Sequence, residues 1–193
     1  MSKALKIQSN IDQEKVNRDI VFIAQFGKWC LAHGWRQVVY GGYGLDAYLQ
    51  KITRNHGDID LVVFGSTARA QAQVKIVEQL NILISDIEIN TQDQEFMIDI
   101  KVKSSGIIGN LYYVQTAQDP FINLNEVVRS DGSTVVNDEK DFPPPVPGIL
   151  GSLTVEAQDQ SSHLKDILRK RNNVAVVSKH DQDIANIQEL LAK

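Results

Sequence analysis

The sequence predicts a mixed α+β core followed by a small C-terminal helical segment, and three observations support this prediction. An apolar stripe at three- and four-residue spacing near the N-terminus indicates an amphipathic helix. Short apolar runs further along the chain indicate buried strands. The proline-rich run at 142–148 marks a boundary, because consecutive prolines continue neither a helix nor an inner strand. We therefore expect a core over residues 1–147 and a helical segment over 148–193.

Local patterns predict the elements in chain order. The first helix spans 10–33 and stops at His33-Gly34, and a first strand over 36–40 leads into the glycines at 41–42. The remaining predicted elements are a short helix over 45–50, a buried strand over 59–64, a helix over 67–80, strands over 86–90, 95–103 and 107–115, strand pieces over 127–128 and 134–136, and helices over 153–171 and 181–191.

Composition and charge limit the possible classes of function. The 193 residues include one cysteine, Cys30, so no intramolecular disulfide forms and a reducing compartment is expected. No apolar run reaches membrane-spanning length, and residues 1–19 lack the order of a signal peptide, so we expect a cytoplasmic protein. The formal net charge of -4 argues against a nucleic-acid polymer as partner. A nucleotide stays possible, because its few phosphates need only a local site.

Two aspartates flank the start of the predicted strand at 59–64. Asp58 and Asp60 are two residues apart, so on a strand both carboxylates project from the same face. Adjacent carboxylates repel each other, and a cation between them relieves the repulsion. Magnesium is usually held by one or two carboxylates plus substrate phosphates. The alternative for this pair alone is two solvated acids at a strand start.

Two glycines lie upstream of these acids, between a predicted strand and a predicted helix. Gly41 and Gly42 permit a close backbone approach to a ligand, and a helix N-terminus offers free N–H groups to an anion. The combination indicates a phosphate-binding turn beside a metal site. The simpler alternative is a plain strand-to-helix turn.

A longer signature runs through the same region, with Gly-Gly-Tyr-Gly-Leu-Asp at 41–46 and Thr-Arg-Asn-His-Gly-Asp-Ile-Asp-Leu at 53–61. It resembles the signature of the antibiotic nucleotidyltransferases, and is most similar to the lincosamide and aminoglycoside 2''-nucleotidyltransferase group of the DNA polymerase β-like superfamily. The resemblance implies a twisted mixed sheet flanked by helices, with the site at its open face. It also implies transfer of a nucleoside monophosphate, AMP from ATP, to a hydroxyl group of a small molecule. Two magnesium ions and release of pyrophosphate belong to that activity, and an aminoglycoside or lincosamide acceptor would make it antibiotic resistance.

The resemblance further implies a third carboxylate on a later strand. Asp99 is the best candidate, in an apolar run at 96–102, and Asp93 and Glu95 are its rivals. By this resemblance Asp99 acts as general base and shares the metal with Asp58 and Asp60.

Five residues are candidates for phosphate contact. These are Gly41, Gly42 and Tyr43 through the backbone, and Arg54 and Lys101 through their side chains. Solvated surface residues are the alternative for Arg54 and Lys101.

Four other polar residues have weaker assignments. We expect His56 to hydrogen-bond an aspartate rather than to bind a metal, and Asp46 to cap or brace the short helix. Lys179 and Asp183 resemble a late helix of the family, which we expect to be structural.

Two other functions stay open. The acceptor is a protein in one of them, as in nucleotidyltransferase toxins or AMP-transferring regulators. In the other the chain binds a nucleotide without catalysis, which the presence of all three acids disfavours. The expected assembly is a monomer or a homodimer.

Overall fold

The computed structural model describes residues 11–136, 144–159 and 184–185. Its elements in chain order are α1 (Gln13–Ala32), β1 (Arg36–Tyr40), α2 (Gly41–Leu49), β2 (Ile59–Gly65), α3 (Arg69–Leu83), β3 (Glu88–Asp93), β4 (Ile98–Lys103), β5 (Ile108–Gln115), β6 (Glu126–Val128), β7 (Thr134–Val136), β8 (Val146–Leu150) and β9 (Leu153–Ala157). None of the helices in these residues has the length and apolar character that crossing a bilayer requires.

Seven strands form one mixed sheet in the order β3-β4-β5-β2-β1-β9-β8. Strand β2 pairs in parallel with β5 and antiparallel with β1, and β4 pairs antiparallel with both β3 and β5. Strands β6 and β7 form a separate antiparallel hairpin. The predicted mixed α+β class is confirmed.

The two faces of the main sheet have different surroundings. Ile59 and Leu61 of β2 are fully buried in the main core, which also contains side chains of α1 and α3. Side chains alternate along a strand, so Asp60 projects from the opposite face. That face carries a smaller apolar cluster around Val62 and Phe64, packed near the β6–β7 hairpin. The polar residues near Asp60 therefore lie on the side of the sheet away from α1 and α3.

Two predicted elements differ from the structure. The short helix predicted over 45–50 begins at Gly41, so the two glycines form the first turn of α2 instead of a loop before it. Residues 153–157 form strand β9 and not the start of the predicted helix over 153–171. The physical reason is packing, because Leu153 and Val155 contact the main core at period-two spacing while β9 pairs with β8 and β1.

The main sheet also continues past the predicted boundary at residue 147. Pro147 lies within β8, which is an edge strand, where a missing backbone N–H is tolerated. The core therefore extends through Ala157, and the division of the chain into two parts stays a prediction.

Most of the predicted C-terminal helices lie outside the described residues, as do Lys179 and Asp183. Ile184, which is helical, packs against Leu45 of α2. This contact places one point of the C-terminal region beside the helix that begins at the glycines.

Candidate active site

Three aspartates lie on one polar part of the sheet. Asp60 on β2 is the Cα partner of Asn110 on β5, and Asp99 on β4 is the Cα partner of Tyr112 on β5. Asn110 and Tyr112 are two residues apart on one strand, so all four side chains project from the same face. Asp58 immediately precedes β2, two residues before Asp60. We call the surface formed by these five residues the acid face.

The hydroxyl of Tyr112 is influenced by all three carboxylates. Burial, and then the negative charges of Asp99, Asp60 and Asp58, raise the pKa of Tyr112 to about 12. Charges act on one phenol in this way only from nearby positions. The three predicted acids therefore all lie within electrostatic reach of one tyrosine, Tyr112.

Asp99 is the most buried of the three acids, with an exposed fraction of 7%. Its Oδ2 lies 3.9 Å from Nζ of Lys101, whose side chain is exposed on the same face. Its Oδ1 is buried and has no hydrogen-bond partner among the described residues. A buried polar atom without a partner is costly, so this oxygen is suited to a bound cation or a substrate proton.

The rival acids lie elsewhere, at the turn between β3 and β4. Asp93 forms an ion pair with Arg69 of α3, and Oε1 of Glu95 lies 3.3 Å from Nε of Arg129. Arg69 also donates to the backbone carbonyl of Met97, so these charges stabilise the turn. The structure favours Asp99 over both rivals.

The glycine turn, formed by Gly41 and Gly42, lies directly against Asp60. Gly41 has a φ of +61°, and a Cβ at this position would collide with Oδ2 of Asp60. The turn opens α2, and the preceding Tyr40 makes no side-chain capping hydrogen bond. The first N–H groups of α2 therefore lack helical partners and are suited to an anion beside Asp60.

The second glycine leaves room for two side chains. A Cβ at Gly42 would collide with Nδ1 of His56 and lie 2.9 Å from Nη2 of Arg54. The predicted phosphate contact Arg54 therefore reaches the turn. The Tyr43 side chain does not, because its hydroxyl donates to Oδ2 of Asp19 at 2.6 Å in the interior. Only the backbone of Tyr43 is placed for a phosphate.

A buried set of hydrogen bonds holds the loop between α2 and β2. Asp46 is fully buried and accepts from the backbone N of Thr53 at 3.1 Å and from its Oγ1 at 2.6 Å. Oδ2 of Asp46 also lies 2.6 Å from Nε2 of His56. We call these three residues the Asp46 clasp. The expected bond between His56 and an aspartate is confirmed, and the clasp fixes the loop that carries Arg54 and leads to Asp58.

Two residues of the acid face were not predicted from the sequence. Nδ2 of Asn110 donates to Oδ1 of Asp60 at 3.0 Å and so orients that carboxylate. Tyr112 lies between Asp99 and Val62 across the sheet. The available signal was the alternation of Asn110 and Tyr112 with buried residues, but the pairing of β5 with β2 is not visible in a local pattern.

The chemistry of the acid face fits a hard divalent cation, because carboxylate oxygens are the ligands that magnesium prefers. The unpartnered Oδ1 of Asp99 agrees with this. Across residues 11–136, 144–159 and 184–185, however, no three His, Cys, Asp or Glu side chains converge closely enough to form a complete metal site. The two predicted magnesium ions stay a prediction.

The known proteins that match this chain do so through their solved structures. No protein-family model and no curated protein matches the sequence. The structure of the lincosamide antibiotic adenylyltransferase LnuA, lincomycin-bound, matches with a TM-score of 0.57 and 15% identity, over 89% of this chain and 95% of that chain. The solution structure of the antibiotic-resistance factor ANT(2'')-Ia matches with a TM-score of 0.60 and 16% identity, over 94% and 86%. A crystal structure of ANT(2'')-Ia with adenylyl-2''-tobramycin gives a TM-score of 0.58 and 15% identity, over 89% and 88%. The chain therefore has the nucleotidyltransferase fold that the sequence signature implied.

Proposed function

We propose that this protein is a nucleotidyltransferase that moves a nucleoside monophosphate from a nucleoside triphosphate to a hydroxyl group of a small molecule. The observation that carries the proposal is the placement of Asp60 and Asp99 on one face of the sheet, with Asp58 two residues before Asp60 and the glycine turn against Asp60. Acids that suit a cation, next to N–H groups that suit an anion, match a metal-bound triphosphate. The fold shared with LnuA and ANT(2'')-Ia supports the same class.

Binding of the triphosphate is assigned to two groups of residues. The N–H groups of the glycine turn and the guanidinium of Arg54 bind phosphate oxygens. Asp58, Asp60 and Asp99 would hold magnesium, which would neutralise negative charge on the phosphates. Lys101, exposed beside Asp99, adds positive charge at the same edge.

Asp99 is the proposed general base. Its unpartnered Oδ1 takes the proton of the acceptor hydroxyl. The hydroxyl oxygen then forms a bond to the α-phosphorus, and the bond from that phosphorus to pyrophosphate breaks. The fixed strand positions of Asp60 and Asp99 supply positioning, from which most of the rate enhancement is expected.

The proposed donor is ATP, and the proposed acceptor is an aminoglycoside or a lincosamide. This follows the names of the matched structures, which describe an adenylyltransferase with lincomycin and an enzyme with adenylyl-2''-tobramycin. Antibiotic resistance would be the consequence of such an activity. A cytoplasmic location and a monomeric or homodimeric state stay predictions.

Pyrophosphate release tests the proposal. The purified chain is incubated with ATP, GTP, CTP or UTP, with magnesium or EDTA, and with tobramycin or lincomycin. We expect release that needs both magnesium and an acceptor, with the mass of one nucleoside monophosphate added to the acceptor. Absence of acceptor-dependent release in every combination would overturn the proposal.

A further inference from the structure

Tyr112 lies in the middle of the acid face, between the strand that carries Asp60 and the strand that carries Asp99. It is the Cα partner of Asp99 on one side and of Val62 on the other. Its ring is half-buried and packs against the smaller apolar cluster. In the part of the chain that the structure describes, its hydroxyl makes no hydrogen bond, and it is not one of the buried polar atoms that lack a partner.

The next residue along the strand shows the contrast. Tyr113 projects from the other face and is fully buried. Its hydroxyl lies 2.9 Å from the carbonyl oxygen of Gly65 and 2.6 Å from that of Thr67. Tyr113 therefore uses its hydroxyl to hold the fold together, whereas the hydroxyl of Tyr112 is open to a ligand.

A ligand oxygen that binds at the acid face requires a neutral hydrogen-bond donor there. Ionised carboxylates only accept, and the side-chain amide of Asn110 already donates to Asp60. A phenol has an ordinary pKa of about 10, so the hydroxyl of Tyr112 carries its proton at neutral pH. Tyr112 can therefore donate to an oxygen that approaches Asp99.

We infer that Tyr112 positions the acceptor, by donating a hydrogen bond to the hydroxyl oxygen that Asp99 deprotonates. This inference rests on the proposed function and names a residue that the family signature does not contain. A hydroxyl oxygen has two lone pairs, so one accepts from Tyr112 while the other attacks the α-phosphorus. The proton leaves to Asp99, and the electrons of the new O–P bond come from the oxygen. An amine nitrogen has one lone pair and has none left for Tyr112 during attack, so the arrangement favours hydroxyl acceptors.

The test compares Tyr112→Phe with its neighbour Tyr113→Phe, since each removes one hydroxyl. Tobramycin and lincomycin are the probes, and steady-state rates are measured with either the probe or magnesium-ATP varied. We expect Tyr112→Phe to raise the KM for the probe about three- to tenfold, the effect of one neutral hydrogen bond, and to leave the KM for magnesium-ATP unchanged. Calorimetric titration of the probe into protein without nucleotide should show the same loss of affinity. Tyr113→Phe should lower the melting temperature and leave both KM values unchanged.

Two results would overturn the inference while the proposed function stands. One is a KM for the probe that is the same in Tyr112→Phe as in the wild-type protein, provided that the wild-type protein transfers nucleotide to that probe. The other is a raised KM for magnesium-ATP alone, which would place the phenol on the phosphates. If the wild-type chain transfers no nucleotide to any acceptor, the proposed function fails and this inference fails with it. Circular dichroism of both variants separates these results from misfolding.

Discussion

The backbone of Gly41 and the carboxylate of Asp60 approach each other closely across the site, since a Cβ on the glycine would collide with Oδ2 of the aspartate. The contact joins the first turn of α2 to the second residue of β2. Only a residue without a side chain fits there, and its φ of +61° also favours glycine. The proposed phosphate and metal contacts are therefore held at a fixed separation by the backbone.

Gly41→Ala tests this contact. The added methyl group would meet Asp60 and would also adopt a left-handed backbone, which costs about 1–2 kcal/mol for an L-residue. We expect the urea midpoint of unfolding to fall and the KM for magnesium-ATP to rise. Gly57→Ala is the control, because a Cβ there meets nothing within 4 Å and the backbone is not left-handed. Equal effects of the two substitutions would contradict the assigned role of Gly41.

Asp99→Asn tests the general base. We expect kcat to fall about 10²- to 10⁴-fold, the usual contribution of a positioned base. The unfolding free energy should change little, because the substitution removes a buried charge whose Oδ1 has no partner. Asp93→Asn is the control: it removes the carboxylate partner of the buried Arg69 guanidinium, so it should lower the unfolding free energy but leave kcat unchanged. A kcat loss in Asp93→Asn equal to that in Asp99→Asn would contradict the assignment of Asp99 as the general base.

Asp46→Asn tests the Asp46 clasp. The amide keeps an oxygen for Thr53 but turns a donor toward His56, so at least one of the buried bonds at 2.6 Å is weakened. We expect a loss of about 1–3 kcal/mol in unfolding free energy and a raised KM for magnesium-ATP, as the loop with Arg54 shifts. Glu88→Gln, on the exposed edge strand, is the control and should change stability by less than about 0.5 kcal/mol. An unaltered KM in a destabilised Asp46→Asn would limit the clasp to a structural role.

The raised phenol pKa values predict alkaline sensitivity. The pKa of Tyr112 in the folded protein is about 12, against an ordinary value of 10.0, and burial raises those of Tyr43 and Tyr113 as well. The folded state binds these protons more tightly, so their contribution to stability is complete below pH 10 and is lost as pH rises through the folded values. Unfolding by denaturant, measured from pH 8 to 12, should show this loss.

Magnesium should change the same titration. A cation held by Asp58, Asp60 and Asp99 offsets the charges that raise the pKa of Tyr112, so tyrosinate absorbance should appear at lower pH when magnesium is present. Tyr112→Phe should abolish the magnesium-dependent part. Identical titrations of the wild-type protein with and without magnesium would argue against an ion among these acids.

The sequence predicted the elements that local patterns determine. Alternation around Ile59 and Leu61 placed Asp58 and Asp60 on one face, and the same argument applied to Asp99. Strand β9 was mistaken for a helix: it forms a hairpin with β8, which directly precedes it, and its second partner, β1, is distant in sequence. There the guanidinium of Arg36 holds both carboxylate oxygens of Glu156, at 2.6 and 2.8 Å, across 120 residues.

The roles of Asn110 and Tyr112 could not be predicted for the same reason. Both depend on β5 lying between β2 and β4, and no local pattern specifies the order of strands in a sheet. The sequence predicted only part of the Asp46 clasp. A hydrogen bond from His56 to an aspartate was expected, but Asp46 was not identified as that aspartate.

The intervening strand β5 has a mechanical consequence. With neighbouring strands about 4.8 Å apart, the backbones that carry Asp60 and Asp99 are separated by roughly 10 Å. Asp60 and Asp99 therefore lie on opposite sides of β5, which carries Tyr112, and a bound ligand would have to extend across the acid face to reach both. A two-part inhibitor that links a nucleotide to an acceptor mimic would span this width. Either part alone would leave half of the acid face exposed to water.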